Sequence, residues 1–361
     1  MRVAELLVNT EKGLYCPLGD FYIDPWRPGA GDKAIITHAH SDHARYGADE
    51  YLCATSGVDV VLARLGKVRA SGAAFGDEFS VGDVRVSLHP AGHVLGSAMV
   101  RIEHKGEVWV VSGDYKTERD CTGELMQPIR CHTFITESTF GLPIYRWQPR
   151  HVIGQQINAW WASNASEGVT SIVYAYALGK AQSVLSLLDA SIGPVFVHGA
   201  VEKFLPIYAA AGVKLPACER ADKMNVKAAM GRGIVIAPPG ADNSAWARKF
   251  GQRSEAFASG WMRVRGPRRR RGVDRGFVLS DHADWPGLLE TIKATGASRV
   301  GVTHGYTSVL ARWLTEQGLE TWTLATRFEG ESGSDGNDQS GEGQLNTEPS
   351  SSHAADGGED D

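Results

Sequence analysis

Three histidines and an aspartate fall within six consecutive positions, His38-Ala39-His40-Ser41-Asp42-His43, directly after the apolar run Ala34-Ile35-Ile36. A short apolar run of this kind reads as a buried strand, so the polar cluster begins where a strand ends and enters a loop. Alternation at the strand end aligns His38 with His40. A helical turn would bring His40 and His43, three residues apart, to one side. Four side chains able to bind a metal can therefore converge from six residues and divide between two ions. The chain has only 12 histidines in 361 residues, so a surface loop that gathered them merely for solubility is the poorer reading.

Two later segments add to the cluster. His93 lies between glycines in His89-Pro90-Ala91-Gly92-His93-Val94-Leu95-Gly96-Ser97, a loop leading into another apolar stretch. Asp114 follows the apolar run ending Val111-Ser112-Gly113. They supply one more imidazole and a carboxylate able to bridge two ions. All these donors are nitrogen or oxygen, which suits zinc and manganese alike.

Around these motifs the chain is β-rich up to residue 145, with short apolar stretches at 51–54, 84–88, 98–103, 108–112 and 133–136 separated by Gly, Asp and Pro at hairpin spacing. Beyond Pro149 strand and helix patterns alternate: helices over 151–163, 180–188, 201–211 and 244–250, strands over 171–176, 195–197 and 234–237. That rhythm implies a largely parallel sheet. A strand over 277–280, a helix over 285–294, a strand over 299–303, a helix over 308–316 and a strand over 320–324 complete the pattern. The fold class is α/β, and no internal repeat interrupts it. The apolar runs are far too short to span a bilayer and the first residues lack a signal-peptide core, so a cytoplasmic location is expected. Five cysteines without a CxxC pair argue against a disulfide framework or a zinc ribbon. The net charge of −5 divides into −10 within residues 329–361 and +5 elsewhere. That acidic Gly/Ser-rich tail has Leu345 as its only large apolar residue and is expected to be disordered. The remaining chain is mildly basic, compatible with a polyanionic substrate.

In this order the motifs, together with Asp24 in Tyr22-Ile23-Asp24-Pro25, resemble the metallo-β-lactamase fold family. Three more segments are similar to its β-CASP nuclease branch: Glu137 in Thr136-Glu137-Ser138-Thr139, His282 in Ser280-Asp281-His282-Ala283-Asp284, and His304 in Thr303-His304-Gly305. The resemblance implies an αββα sandwich interrupted by an inserted α/β β-CASP cassette. Its lobes would be 1–148 and 277–328 for the sandwich, 149–276 for the cassette, and 329–361 for the tail. It also implies phosphodiester hydrolysis by a two-metal hydroxide mechanism. His38, His40 and His93 would hold one ion, Asp42, His43 and His304 the other, with Asp114 bridging. Asp24 would orient the histidine loop, and His282, oriented by Glu137, would be the general acid. Lys180 in Gly179-Lys180-Ala181-Gln182, at a strand-to-helix junction, would meet a phosphate.

Seven arginines and one acid fall between Arg263 and Arg275, and Arg263, Arg265, Arg268, Arg269, Arg270 and Arg271 are candidates to follow a phosphate backbone. Gly19-Asp20-Phe21-Tyr22-Ile23-Asp24-Pro25-Trp26-Arg27-Pro28 and this arginine block look like the bacterial ligase-associated DNA exonuclease group. That resemblance implies a DNA-repair exonuclease with an ATP-dependent DNA ligase and a helicase-like protein as partners. Histidine at 304 is more typical of RNA-processing β-CASP members, which keeps RNA as the alternative substrate.

Overall fold

The run after Asp32 forms the short interior strand β4 (Lys33–Ile35), and the histidine cluster follows its C-terminal end. In a computed structural model, which describes residues 5–221, 225–265 and 272–324, β1 (Val8–Asn9), β2 (Leu14–Cys16), β3 (Phe21–Ile23), β4 (Lys33–Ile35), β5 (Glu50–Ala54) and β6 (Ala70–Ala73) lie side by side in that order. Strands β3 to β6 are parallel. Tyr51–Ala54 is thus not a hairpin arm: β6 is reached through the helix α1 (Val58–Leu65), as parallel neighbours require a crossover.

A second sheet runs β19-β18-β11-β10-β9-β8-β7. Its strands β7 (Glu78–Val81), β8 (Val84–Pro90), β9 (Ala98–His104) and β10 (Glu107–Val111) form an antiparallel meander. Strands β10, β11 (Thr133–Ser138), β18 (Arg299–Gly305) and β19 (Glu320–Thr323) are parallel, so the chain rejoins this sheet some 160 residues after leaving it.

The two sheets face each other. Phe21, Ile23, Ile35 and Ala54 from the first pack against Val86, Val100, Ile102, Trp109 and Ile135 from the second. Each Val, Ile or Phe among them contributes about 1.5–3 kcal/mol on burial. Helices cover both outer faces. Val60 and Val61 of α1 close the first sheet. Leu288 and Ile292 of a helix over Trp285–Thr295, with Leu310 and Leu314 of another over Thr307–Glu316, close the second.

Between β11 and β18 the chain builds a third sheet, all parallel, in the order β14-β13-β15-β12-β16-β17. Its strands are β12 (Thr170–Tyr174), β13 (Val195–Val197), β14 (Glu219–Arg220), β15 (Ile234–Ala237), β16 (Arg253–Ala258) and β17 (Arg275–Phe277). The helix α2 (Arg150–Ser166) lays Ile153, Ile157 and Trp161 against it, and α3 (Lys180–Leu185) adds Val184 and Leu185. Phe277 and Leu279 belong to this core, so the strand expected at 277–280 starts earlier and pairs with β16.

The helix expected over 201–211 divides into Gly199–Glu202 and Leu205–Ala210, because Pro206 suits a first turn and disrupts an interior one. The helix expected over 244–250 is only a 3₁₀ turn at Ala247–Phe250. Arg268, Arg269, Arg270, Arg271 and the acidic stretch 329–361 lie outside the described residues. Among the described residues all five cysteines are free, and no helix is long and apolar enough to cross a membrane.

The loop carrying His93 is held by a close backbone crossing. Gly96, at φ +72°, lies so near Gly57 that a Cβ would stand 2.2 Å from the Gly57 Cα. Gly96→Ala therefore adds left-handed strain to a backbone clash. The expected outcome is a thermal unfolding midpoint lowered by several degrees in a melt followed by circular dichroism; an unchanged midpoint would show that the crossing relaxes freely.

Candidate metal centre

The polar cluster is built from strand ends. β4 delivers Thr37 and His38, and the chain then makes a single helical turn, with the Ala44 amide donating to the His40 carbonyl at 2.8 Å. Parallel strands of the second sheet deliver the rest at their C-terminal ends: Asp114 beyond β10, Glu137 in β11 and His304 in β18. His93 comes from the β8–β9 loop, where Ser97 Oγ accepts from the His93 and Val94 amides. Gathering side chains at the C-terminal edge is what open parallel sheets commonly do with their sites. Here two facing sheets contribute.

Asp24 governs the entry to the loop. It adopts a left-handed backbone at φ 45°. Its carboxylate accepts from the Thr37 amide at 2.7 Å, from Thr37 Oγ1 at 2.5 Å and from His43 Nδ1 at 2.7 Å. Because Thr37 Oγ1 donates to Asp24, it must accept from His38 Nδ1, 3.1 Å away. His40 Nε2 donates to the Leu178 carbonyl at 3.1 Å, and His93 Nδ1 to the Asp281 carbonyl at 2.9 Å.

His38, His40 and His93 thus each spend their proton on an acceptor outside the cluster, which leaves a lone pair facing inward. The inward atoms are close: His40 Nδ1 lies 3.2 Å from His38 Nε2 and 3.0 Å from His93 Nε2. Three mutually facing lone pairs repel unless a cation sits among them. Burial pushes His38 and His93 well below the usual imidazole range, reinforced by the neighbouring imidazoles, so both are neutral, the form that binds metal.

Asp114 stands between two groups. Its Oδ2 lies 3.6 Å from His38 Nε2, 3.8 Å from His93 Nε2 and 3.4 Å from His43 Nε2. Burial opposes its charge, yet His43, His282 and His38 hold its carboxyl well below the usual range. Burial likewise opposes charge on His43, but Asp114, Asp42 and Asp24 outweigh it and hold that imidazole well above 6.5. Asp42 Oδ2 is 3.8 Å from His43 Nε2, and the His304 ring stacks on His43 at 5.0 Å.

His304 is itself at φ 53°, a sparsely populated conformation. It is held by Ser138 Oγ, which donates to the His304 carbonyl and lies 3.2 Å from the Thr303 carbonyl. Three buried atoms here, His43 Nε2, Asp114 Oδ1 and His304 Nδ1, have no hydrogen-bond partner among the described residues, an expensive state for polar atoms that a cation would relieve.

Two groups of potential ligands therefore fit divalent ions, His38/His40/His93/Asp114 and Asp42/His43/His304. A third, Asp114/Glu137/His282, abuts the first. In it His282 Nδ1 donates to both Glu137 oxygens at 3.0 and 2.9 Å, and Glu137 also accepts from the Tyr115 amide at 2.7 Å.

The candidate polyanion contacts fare differently. Arg263 and Arg265 are exposed. Lys180, expected at a phosphate, is instead fully buried, its Nζ 3.0 Å from an Asp281 carboxylate that is 2% exposed. A buried ammonium needs a counter-charge, and Asp281 occupies the place the phosphate was expected to take. The Leu178 and Asp281 carbonyls that orient His40 and His93 carry no sequence signal, since any residue offers a backbone oxygen. Thr37, flanking the histidine run, could have been found from its hydroxyl.

No family model matches the chain. Over 321 residues, 88% of its length, it is 32% identical to a segment making up 31% of a probable DNA ligase of Opitutus terrae. Over 137 residues, 37% of its length, it is 33% identical to 16% of endoribonuclease YSH1 of Gibberella zeae. Over 163 residues, 44% of its length, it is 28% identical to 20% of cleavage and polyadenylation specificity factor subunit 3 of Dictyostelium discoideum. A protein of unknown function from Enterococcus faecalis V583 shares the fold, with TM-score 0.56 and 11% identity over 83% of this chain and 80% of that one. The chain thus spans about a third or less of the curated relatives it matches, and is similar along nearly all its length to part of one named for DNA ligation.

Proposed function

We propose that the chain is a β-CASP-type nuclease of the metallo-β-lactamase fold, a DNA exonuclease dependent on two divalent ions, zinc or manganese. The observation that carries this reading is the set of inward lone pairs shared, through Asp114, between two ligand groups beside a Glu137–His282 pair. Ions held by His38, His40, His93 and Asp114, and by Asp42, His43, His304 and Asp114, would supply Lewis-acid activation of water and stabilise charge on phosphoryl oxygens.

The chain's own residues then have distinct tasks. Asp24 and Thr37 fix the His38 and His43 tautomers. Glu137 accepts from His282 Nδ1 and orients the ring, so that His282 as general acid can protonate the oxygen that leaves as the P–O bond breaks. Arg263 and Arg265, exposed on the insert, suit a phosphate backbone. The near full-length likeness to part of a protein named as a DNA ligase supports DNA as the polymer and a ligase as the partner. A helicase-like partner is carried by the sequence resemblance alone.

RNA is the second reading, favoured by the likeness to endoribonucleases and by His304. End-labelled single- and double-stranded DNA and RNA, incubated with Zn²⁺, Mn²⁺ or Mg²⁺ in turn, decide between them. Terminal release of nucleotides from DNA is expected; internal cuts in RNA alone would favour the rival, and no cleavage of either polymer would end both.

Two substitutions probe the assigned roles. Asp24→Asn should weaken Zn²⁺ binding by about 10–100-fold with an unchanged circular dichroism spectrum; full affinity would remove Asp24 from the support of the histidines. His282→Ala should slow cleavage by roughly 10²–10⁴-fold while elemental analysis still finds two ions per chain. Loss of one ion would instead make His282 a ligand.

A further inference from the structure

One short segment of the insert, the junction leading into α3, reaches the candidate metal centre. Leu178 ends its approach, and its carbonyl accepts from His40 Nε2 at 3.1 Å. Gly179, at φ +83°, is pressed so near the loop of His93 that a Cβ would meet Val94 Cγ1 at 2.2 Å. Lys180 follows, fully buried, and pairs with Asp281 at 3.0 Å.

Asp281 is also the residue whose main-chain oxygen accepts from His93 Nδ1 at 2.9 Å, and it directly precedes His282. Three consecutive residues of the insert therefore bear on both rings whose nitrogens approach to 3.0 Å. Leu178 does so by its own carbonyl, and Lys180 by gripping the residue that supplies the other carbonyl. A second buried contact ties the same helix down: Ser183 Oγ donates to Asp120 at 2.8 Å, and Asp120 also holds Lys116 at 2.9 Å and Arg150 at 3.1 Å.

We propose that Lys180 is a positioning residue for the metal centre. Its ion pair with Asp281 would fix the carbonyl that sets the His93 tautomer and orientation, so that the ion at His38, His40 and His93 binds tightly only when the insert is docked. The inference rests on the two-ion reading above and adds to it a dependence of one ion on the insert. A buried ion pair is a poor source of stability when compared with an apolar pair of equal size, whereas a lone buried charge is costly. The pair's use here is therefore one of placement. Lys180 holds the backbone at Asp281 in a single position between His93 and His282, and outer contacts of this kind typically tune metal affinity by about 10–100-fold.

The test measures Zn²⁺ binding by competition with a chromogenic chelator, alongside thermal melts, for the full chain, Lys180→Met, and the double variant Lys180→Met/Asp281→Asn. The unsubstituted chain should bind two Zn²⁺. Lys180→Met should weaken one of them by about 10–100-fold, leave the other unchanged and lower the melting temperature, because Asp281 is left buried without its partner. The double variant removes the lone charge, so its melting temperature should recover while the weakened ion stays weak. This variant alone carries the test if Lys180→Met does not fold.

Two results overturn the proposal: both ions bound at full strength by Lys180→Met, or affinity recovering together with stability in the double variant. The latter would make the lysine merely structural. An unsubstituted chain that takes up no Zn²⁺ overturns the two-ion reading itself, and the inference with it; two ions in that chain with an unaffected Lys180→Met overturns the inference alone.

Discussion

Mutual repulsion among inward-facing nitrogen lone pairs is the constraint around which the first lobe is organised. His38, His40 and His93 present unprotonated atoms at 3.0 and 3.2 Å, and a protein can hold such a set only by fixing each ring from behind. The three anchors are the Asp24–Thr37 relay, the Leu178 carbonyl and the Asp281 carbonyl. They arise from the first sheet, the junction before α3 and the return segment after the third sheet. No one of these elements could hold the cluster alone, so the orientation of three rings depends on the whole fold being assembled. The cost of that assembly falls on backbone strain at Asp24 and His304 and on glycines at the close crossings.

What could be read from the sequence follows the range of the signal. The histidine run is local, and its geometry follows from a strand end and one turn, so side chains within six residues were legible directly. Asp114 and His93 were legible because each ends or borders an apolar strand. Longer strands such as β8, β9, β10 and β18 carry enough residues to show a pattern. Most of the first sheet was invisible: β1 to β3 have two or three residues each, too few for any period; β4 showed only as the apolar run before the histidines, and β5 looked like a hairpin arm because a crossover leaves no mark on the strand it follows.

The positioning oxygens were illegible for a different reason. A hydrogen bond from an imidazole to a main-chain carbonyl 138 or 188 residues away is fixed by packing, and the residue that supplies the carbonyl is chosen for other properties. Leu178 packs in the core and Asp281 pairs with Lys180. The sequence therefore shows which groups can bind, and the fold determines which of their nitrogens does so.

Lys180 and the arginines of the insert make the same point about charge. Each is a cation on the insert, and composition alone treats them as equivalent candidates for phosphate. Their fates divide by burial: Lys180 is sealed against Asp281, while Arg263 and Arg265 face solvent. Arginine keeps its charge in either place and gains from an exposed polyanion, whereas lysine tolerates burial only beside a counter-charge. The division gives the insert an inner side that bears on His40 and His93 and an outer one that carries exposed arginines. On the proposed reading, the insert would serve both the polymer, through its exposed arginines, and the first ion, through the contacts around Leu178 and Lys180.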